Sequence, residues 1–289
     1  MLMNLAIIPE DVCIRRLEMN TDFQDTSKLL LSAAPHVKEL KLEGEFAIDF
    51  VASKQLWDSI STYRQLRHLS IKSTNYFDFE YDCCSRTDAL SCLKVLRLKS
   101  FEVGGFGARQ LFDSAETILS TFQDNSHLRR LGLKAEAKLL SSPLLLPILS
   151  NLHRLSIEAI FVKSLSNPVA DDDDLMSDIC FILQSLPYNA ILCMKLKFTD
   201  MEDEVTNQML SCVKTFLDLS NNAKNPIRLI FEHGRRPLPY PDVDEMASLI
   251  EEQQWFGDEV EDLFEIERRP CSCIVSGNDA KVIVSIVND

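Results

Sequence analysis

Residues 66–71 read Leu66-Arg67-His68-Leu69-Ser70-Ile71, and the spacing of their apolar side chains decides the fold. An apolar residue is followed by two variable positions, a second apolar residue, one variable position and a third apolar residue. The pattern recurs at Ile14-x-x-Leu17-x-Met19, Val37-x-x-Leu40-x-Leu42, Leu93-x-x-Leu96-x-Leu98, Leu128-x-x-Leu131-x-Leu133 and Leu152-x-x-Leu155-x-Ile157, with a looser copy at Ile191-x-x-Met194-x-Leu196. An eighth segment, 227–231, keeps only the composition of a strand. Repetition of this kind predicts stacked copies of one structural unit.

The segments between the copies have the apolar periodicity of helices, most clearly over residues 53–65, 108–122 and 203–219. The copies recur at roughly 23 to 39 residues, and the shorter steps fall within the range of about 20 to 29 residues typical of a strand–helix repeat. A strand followed by a helix cannot bury its apolar face alone, whereas stacked copies can. We therefore predict an α/β solenoid with a parallel inner sheet and outer helices.

The C-terminal part breaks the pattern and predicts a different element. We assign residues 1–236 to the solenoid and 237–289 to a C-terminal α+β cap, because a solenoid needs a polar terminus. Within the cap, acidic helices are expected over 242–267, and a hairpin is expected from strands at 271–275 and 282–287. A small separate domain is the alternative.

The net charge of −14 argues against general affinity for nucleic acid or for an anionic membrane, since both need a cationic surface. No window has the roughly 18 to 20 uninterrupted apolar residues of a membrane span. Nine cysteines are scattered, several of them inside apolar runs, as reduced core cysteines usually are. We therefore expect a soluble chain in the cytoplasm or the nucleus, where thiols stay reduced.

The segments 66–71, Leu93-Lys94-Val95-Leu96-Arg97-Leu98 and Leu152-His153-Arg154-Leu155-Ser156-Ile157 resemble the repeats of leucine-rich-repeat proteins. The uneven period and the long helical excursions are most similar to the F-box-associated subset of that superfamily. Its members are substrate receptors of cullin-type ubiquitin ligases, so the resemblance implies a role in holding a target protein. The resemblance covers residues 12–231, and no F-box pattern precedes the first copy in this sequence.

Within each copy, the variable positions of the strand are predicted to face away from the core. From the third copy to the seventh, these positions hold one acidic residue, Glu158, and eight basic residues: Lys72, Arg97, Lys99, Arg130, Lys134, Arg154, Lys195 and Lys197. The whole chain has 30 basic against 44 acidic residues, so this face opposes the overall charge. We predict an electropositive surface that binds an acidic or phosphorylated segment of a protein partner. The alternative is that these residues serve solubility and edge protection.

No motif in the sequence is organised for catalysis, a metal or a cofactor. The acidic run 171–174 lacks the alternating ligands and the distal Glu of a calcium loop. Cys83-Cys84 and Cys271-Ser272-Cys273 lack the Cys-x-x-Cys pairing of zinc sites. The sequence contains neither Gly-x-Ser-x-Gly nor His-Glu-x-x-His.

These observations favour a protein-interaction module over an enzyme. The first hypothesis is a substrate receptor of a ubiquitin ligase that works with a cullin adaptor. The second is a scaffold or inhibitor-type repeat protein that masks a partner's surface without any link to a ligase. Neither hypothesis requires a cofactor, and neither involves a membrane or nucleic acid.

Overall fold

The computed structural model of the 289-residue chain describes thirteen stretches. They are residues 14–19, 36–44, 54–73, 91–105, 115–134, 142–161, 172–197, 205–223, 225–232, 241–253, 265–270, 272–277 and 280–287. The chain divides into two compact units, Met1–Lys134 and Ala135–Asp289. Each unit mixes strands and helices, and most neighbouring strands are parallel.

The described part of unit 1 contains five strands in the order β1-β2-β3-β4-β5, and each hydrogen-bonded pair of neighbours is parallel. The strands are β1 (Arg16–Met19), β2 (Glu39–Gly44), β3 (His68–Ser73), β4 (Ser100–Gly105) and β5 (Arg130–Lys134). Besides the helical residues 91–95, the described helices are α1 (Lys54–Ser61) and α2 (Ala115–Phe122). They fall within the predicted helical segments 53–65 and 108–122, of which 108–114 lies outside the described residues.

The register of unit 1 aligns the middle apolar residues of the copies. Leu40 lies opposite Leu69, Leu69 opposite Phe101, and Phe101 opposite Leu131. All four are at most 1% exposed, because alternate strand residues point to the same side of a sheet and meet the same core. The period-2 alternation within each strand therefore creates one apolar and one polar face.

The fourth copy was placed wrongly by the sequence pattern. Residues 91–95 are helical, and β4 begins only at Ser100. The strand copy is thus Leu98-x-x-Phe101-x-Val103, which satisfies the same pattern five residues later and shares Leu98 with the predicted copy. Apolar residues at i and i+3 also suit a helical turn, and Leu93 is buried within the helical residues 91–95, while Leu96 is buried directly after them.

Among its described residues, unit 2 contains six strands in the order β6-β7-β8-β11-β10-β9. The strands are β6 (Arg154–Phe161), β7 (Ile191–Lys197), β8 (Ile227–Glu232), β9 (Glu265–Arg269), β10 (Ser272–Gly277) and β11 (Ala280–Val287). The helices are α3 (Leu146–Leu149), α4 (Asp172–Ser185), α5 (Val205–Ala223) and α6 (Val243–Glu252). Strands β6, β7, β8 and β11 run parallel, whereas β10 is antiparallel to both of its neighbours.

The segment predicted as a cap joins the sheet of unit 2 directly, because β11 pairs in parallel with β8. The predicted hairpin is present as β10 and β11. The prediction of helix over 242–267 was wrong at its end, where Glu265 and Glu267 lie in β9, while 254–264 is outside the described residues. The compact units divide after Lys134, and the predicted boundary at position 236 lies outside the described residues.

The apolar face of unit 2 is covered by helices. Helix α5 packs against β8 and β11, and α6 packs against the three C-terminal strands. Met209, Val213 and Phe216 follow helical spacing along α5 and are completely buried, which is why this amphipathic segment forms a helix here. Among the described helices, none has both the length and the hydrophobicity that crossing a membrane requires.

Candidate functional site

Basic and acidic side chains on the outward face of β1 and β2 form ion pairs with one another. Lys41 Nζ lies 3.0 Å from Glu18 Oε1, and Arg16 lies within 3.5 Å of Glu18 and 3.8 Å of Glu39. The hydrogen bond and the charge of Lys41 lower the pKa of the Glu18 carboxyl. Two bases and two acids therefore offset each other, so these four side chains give the outward face of β1 and β2 no excess of positive charge.

The outward face of β3 to β5 carries charges of both signs. Lys72 is partly exposed on β3, and Arg130 is exposed as the first residue of β5. Between them, Glu102 occupies the central outward position of β4 and is paired in register with Gly132. A Cβ at position 132 would lie only 3.1 Å from Cγ of Glu102, so the glycine leaves room for the Glu102 side chain.

Two predicted site residues do not lie on this face. The prediction placed Arg97 and Lys99 on a strand, but both precede β4, because the fourth copy begins five residues later than predicted. Glu102 takes the outward position that was assigned to Arg97. Both basic side chains are exposed at the approach to the strand instead. Lys134 ends β5, where only its backbone is described.

In unit 2, Arg154 and Lys195 lie on the outward positions that the sequence predicted. Arg154 Nε donates to Ser156 Oγ at 3.1 Å, and its Nη2 reaches Cys193 Sγ at 3.7 Å on the neighbouring strand. Lys195 is partly exposed on β7 and lies opposite Ile230 of β8. Lys197 ends β7, where only its backbone is described.

Arg228 belongs to the same face, although it is not among the residues predicted for the site. It lies opposite Cys193 on one side and Ile283 on the other. Its Nη2 donates to Ser285 Oγ at 3.3 Å, while its Nε is buried without a hydrogen-bond acceptor among the described residues. The alternation of buried Ile227, Leu229 and Phe231 could have revealed it, because a residue between them must point outward.

The described neighbours of these three cations on the outward face include three isoleucines. Ile191, Ile230 and Ile283 are partly exposed on the outward face of β7, β8 and β11. Among the outward side chains described on β6, β7, β8 and β11, none is acidic. They are Arg154, Ser156, Ile191, Cys193, Lys195, Arg228, Ile230, Lys281, Ile283 and Ser285.

Within the described part of the chain, no three His, Cys, Asp or Glu side chains are grouped as a metal site would require. Burial raises the pKa of the Cys92 and Cys212 thiols to about 12 and that of Cys273 to about 11. These thiols are therefore protonated at neutral pH and are poor nucleophiles. Cys83, Cys84 and Cys271 lie outside the described residues.

Comparison with known proteins identified no relative of this chain. No protein-family model, no curated protein and no solved structure matches the chain.

Proposed function

We propose that this chain is a leucine-rich-repeat-type solenoid that binds a protein partner on the outward face of its parallel strands. In unit 2 the binding surface is the arginine–isoleucine face, defined by Arg154, Lys195, Arg228, Ile191, Ile230 and Ile283. Its partner is an acidic or phosphorylated segment that also carries apolar side chains. The proposal assigns the chain no catalytic step and no cofactor.

The observation that carries the proposal is the chemistry of this face in an acidic protein. Three cations stand among three partly exposed isoleucines, and none of the outward side chains that the structure describes beside them is acidic, while only the backbone is described for Glu158 on β6 and Glu232 on β8. The chain as a whole has a net charge of −14, so this local composition opposes the average. A surface of this kind suits an anion flanked by apolar groups.

Arg228 gives the surface its sharpest specificity. A buried guanidinium N–H that lacks an acceptor costs about 1 to 3 kcal/mol, which a carboxylate or phosphate oxygen would recover. Its Nε is in that state among the described residues, and its Nη2 is already bonded to Ser285. A fork of donors of this kind favours planar or tetrahedral oxyanions over neutral ligands.

The isoleucines supply the affinity that charge alone does not. Burial of apolar surface contributes roughly 25 cal/mol per Å², and arginines set among apolar neighbours are frequent hot spots of protein interfaces. Ile191 lies opposite Arg154 in the register, and Ile230 lies opposite Lys195. Each of these two cations therefore has an isoleucine directly beside it, so one partner segment can contact both.

The test is capture of partners from a lysate by the full chain and by two sets of variants. Arg154→Glu together with Arg228→Glu should reduce recovery of the specific partner at least tenfold. Lys214→Glu, an exposed cation on α5, makes the same kind of charge change away from the face and should have no effect. Arg228→Lys retains the positive charge but loses the fork, so it should give an intermediate result.

Folding has to be checked for each variant by thermal melting followed with circular dichroism. Unchanged recovery by the folded double variant would remove the arginine–isoleucine face from the proposal. Phosphatase treatment of the lysate separates the two anion sources, because only a phosphorylated partner would be lost.

A more specific form of the proposal is a substrate receptor of a cullin-type ubiquitin ligase. Its support is the resemblance of the strand–helix repeat to the F-box-associated subset of leucine-rich-repeat proteins. Recovery of a cullin adaptor with the chain supports this form. Recovery of one stoichiometric partner without ligase components supports the alternative, a scaffold that masks the partner's surface.

We also propose a cytoplasmic or nuclear location. The described cysteines Cys92, Cys180, Cys193, Cys212 and Cys273 are free thiols, which suits a reducing compartment. Fractionation of cells that express the tagged chain tests this directly.

A further inference from the structure

In unit 1, a basic residue stands immediately before every strand. The first register row joins Arg16, Glu39, His68, Ser100 and Arg130 across the five strands. The residues one position earlier are all basic, and we call them the basic rim: Arg15, Lys38, Arg67, Lys99 and Arg129. They come from five successive repeats and alternate between arginine and lysine.

Backbone hydrogen bonds hold the basic rim in line. The carbonyl of Arg67 accepts from the N–H groups of Lys99 and Ser100, at 2.7 and 3.0 Å. The carbonyls of Arg15, Lys38 and Lys99 each accept two hydrogen bonds in the same way. The donors are the N–H groups of the next rim residue, which is Lys38, Arg67 or Arg129, and of the residue that follows it. Since neighbouring strands lie about 4.8 Å apart, the row is about 19 Å long.

The backbone connection between neighbouring strands does not itself require a cation at this position. In unit 2, the residues that precede the register pair of Arg154 and Ile191 are His153 and Ala190. The carbonyl of His153 still accepts from the N–H of Ile191 at 2.9 Å, so the backbone connection forms without lysine or arginine. Five like charges side by side also repel each other. The backbone connection between the strands therefore does not explain the basic row of unit 1.

The side chains of the basic rim are of two kinds. Arg67 Nη1 donates to the carbonyls of Arg64 and Leu66, and Arg129 Nη1 donates to those of Ser126 and Leu128. These guanidinium groups are fixed against the turn that precedes their strand. Lys38 and Lys99 are exposed and form no ion pair with another residue in the described part of the chain.

We propose that the basic rim binds an acidic peptide segment of about six residues, laid along the amino-terminal ends of β1 to β5. An extended peptide rises about 3.3 Å per residue, so six residues match the length of the row. The inference deepens the proposed function and rests on it, since it names a second anion-binding surface for the protein partner. It also gives Lys99 a place in binding, though not on the strand face.

A peptide fits the charge distribution better than a nucleic acid does. A nucleic acid would extend past the five-residue row and bring its phosphates against a chain with 44 acidic and 30 basic residues. A short acidic segment ends where the row ends, so it meets the cations without meeting that surplus of acids. Its carboxylates or phosphoserines would reduce the repulsion between the positive charges of the basic rim.

The experiment titrates the full chain with a fluorescein-labelled hexaglutamate peptide at low salt and follows fluorescence anisotropy. Lys38→Glu combined with Lys99→Glu should weaken binding at least tenfold and should leave the melting temperature equal or higher, because it relieves like-charge repulsion. Lys94→Glu changes an exposed lysine of unit 1 outside the row, and its affinity should stay within twofold of the unmodified chain. A hexaglutamine peptide should not bind, and a phosphoserine peptide of equal length should bind at least as tightly.

Equal affinity in the Lys38/Lys99 double variant would overturn the proposal, as would tighter binding of a thymidine oligonucleotide that depends on the same two lysines. Loss of peptide binding in the Arg154/Arg228 variant instead would move the site to the arginine–isoleucine face. That result would sustain the proposed function while excluding the rim.

Discussion

The backbone N–H of Lys281 donates a hydrogen bond of 3.0 Å to the hydroxyl of Ser220, which lies 61 residues earlier in the chain. The same hydroxyl donates to the carbonyl of Asn225 at 2.7 Å, and Ser220 is completely buried. One side chain at the end of α5 thus joins the turn before β8 to the start of β11. The C-terminal segment is therefore an integral part of unit 2.

We expect Ser220→Ala to lower the free energy of unfolding by about 1 to 3 kcal/mol, because it leaves the part-buried N–H of Lys281 without its acceptor and the carbonyl of buried Asn225 without its donor. Urea denaturation followed by circular dichroism measures the change. Ser211→Ala on the exposed side of the same helix is the matched control and should change stability by less than about 0.5 kcal/mol. Equal effects of the two substitutions would show that the hydrogen bonds of the Ser220 hydroxyl do not stabilise the fold.

A second prediction concerns Phe101, the middle apolar residue of β4. Its side chain is completely buried, and its ring centroid lies 5.1 Å from that of Phe122 at an interplanar angle of 47°. Phe101→Ala should cost about 3 to 5 kcal/mol through lost burial and the remaining cavity. Val95→Ala is the control, since Val95 is 66% exposed. If Val95 proved the more costly position, the observed placement of the fourth copy would be wrong.

The fourth copy also shows how much of the fold the sequence could predict. Copies two, three and five align in register as the pattern indicated, because their leucine spacing occurs once in each segment. Around Leu98 the pattern occurs twice in overlap, and periodicity cannot distinguish a helical turn from a strand. The aromatic Phe101 and β-branched Val103 favour the second choice, so composition carried the information that spacing did not.

The candidate site was predictable to a similar extent. The alternation of side chains correctly placed Arg154 and Lys195 on the outward face. The predicted alignment of β7 with β6 was wrong by two residues, and a shift by an even number leaves each residue on the same face of the strand. The alternation wrongly assigned Arg97 and Lys99 to that face, because the fourth copy lies five residues later than predicted. A shift by an odd number of residues exchanges the inward and outward positions of a strand. The basic rim could not be predicted in this way, because it depends on the alignment of five separate segments that precede the strands. Backbone hydrogen bonds align these segments, and the side-chain pattern does not specify those bonds.

The third prediction concerns pH and the buried thiol of Cys212. Burial raises its pKa from the usual value of 9.0 to about 12. Below pH 9 the thiol is neutral in both states and adds no pH dependence. As the pH rises from 9 towards 12, only the unfolded thiol ionises, so this contribution to stability falls. Urea midpoints between pH 8 and 11 should decline less steeply in Cys212→Ala than in the unmodified chain, and identical slopes would contradict this.

The last prediction separates hydrogen bonding from polarity at Asn225, which is 3% exposed. Its Nδ2 donates to the carbonyls of Leu183 at 2.8 Å and Leu186 at 3.5 Å, near the end of α4. Helix ends leave carbonyls without intrahelical partners, so this amide caps α4 from a distant part of the chain. Asn225→Ala should therefore cost about 1 to 3 kcal/mol.

Asn225→Asp should cost more than Asn225→Ala at pH 7, although it preserves size and polarity. An ionised carboxylate has no proton to donate, and it would place a buried negative charge against two carbonyl oxygens. Asn221→Asp on the exposed side of α5 controls for the change in net charge. Urea denaturation ranks the three variants, and an aspartate at 225 that is tolerated as well as alanine would show that the amide does not act as the cap of α4.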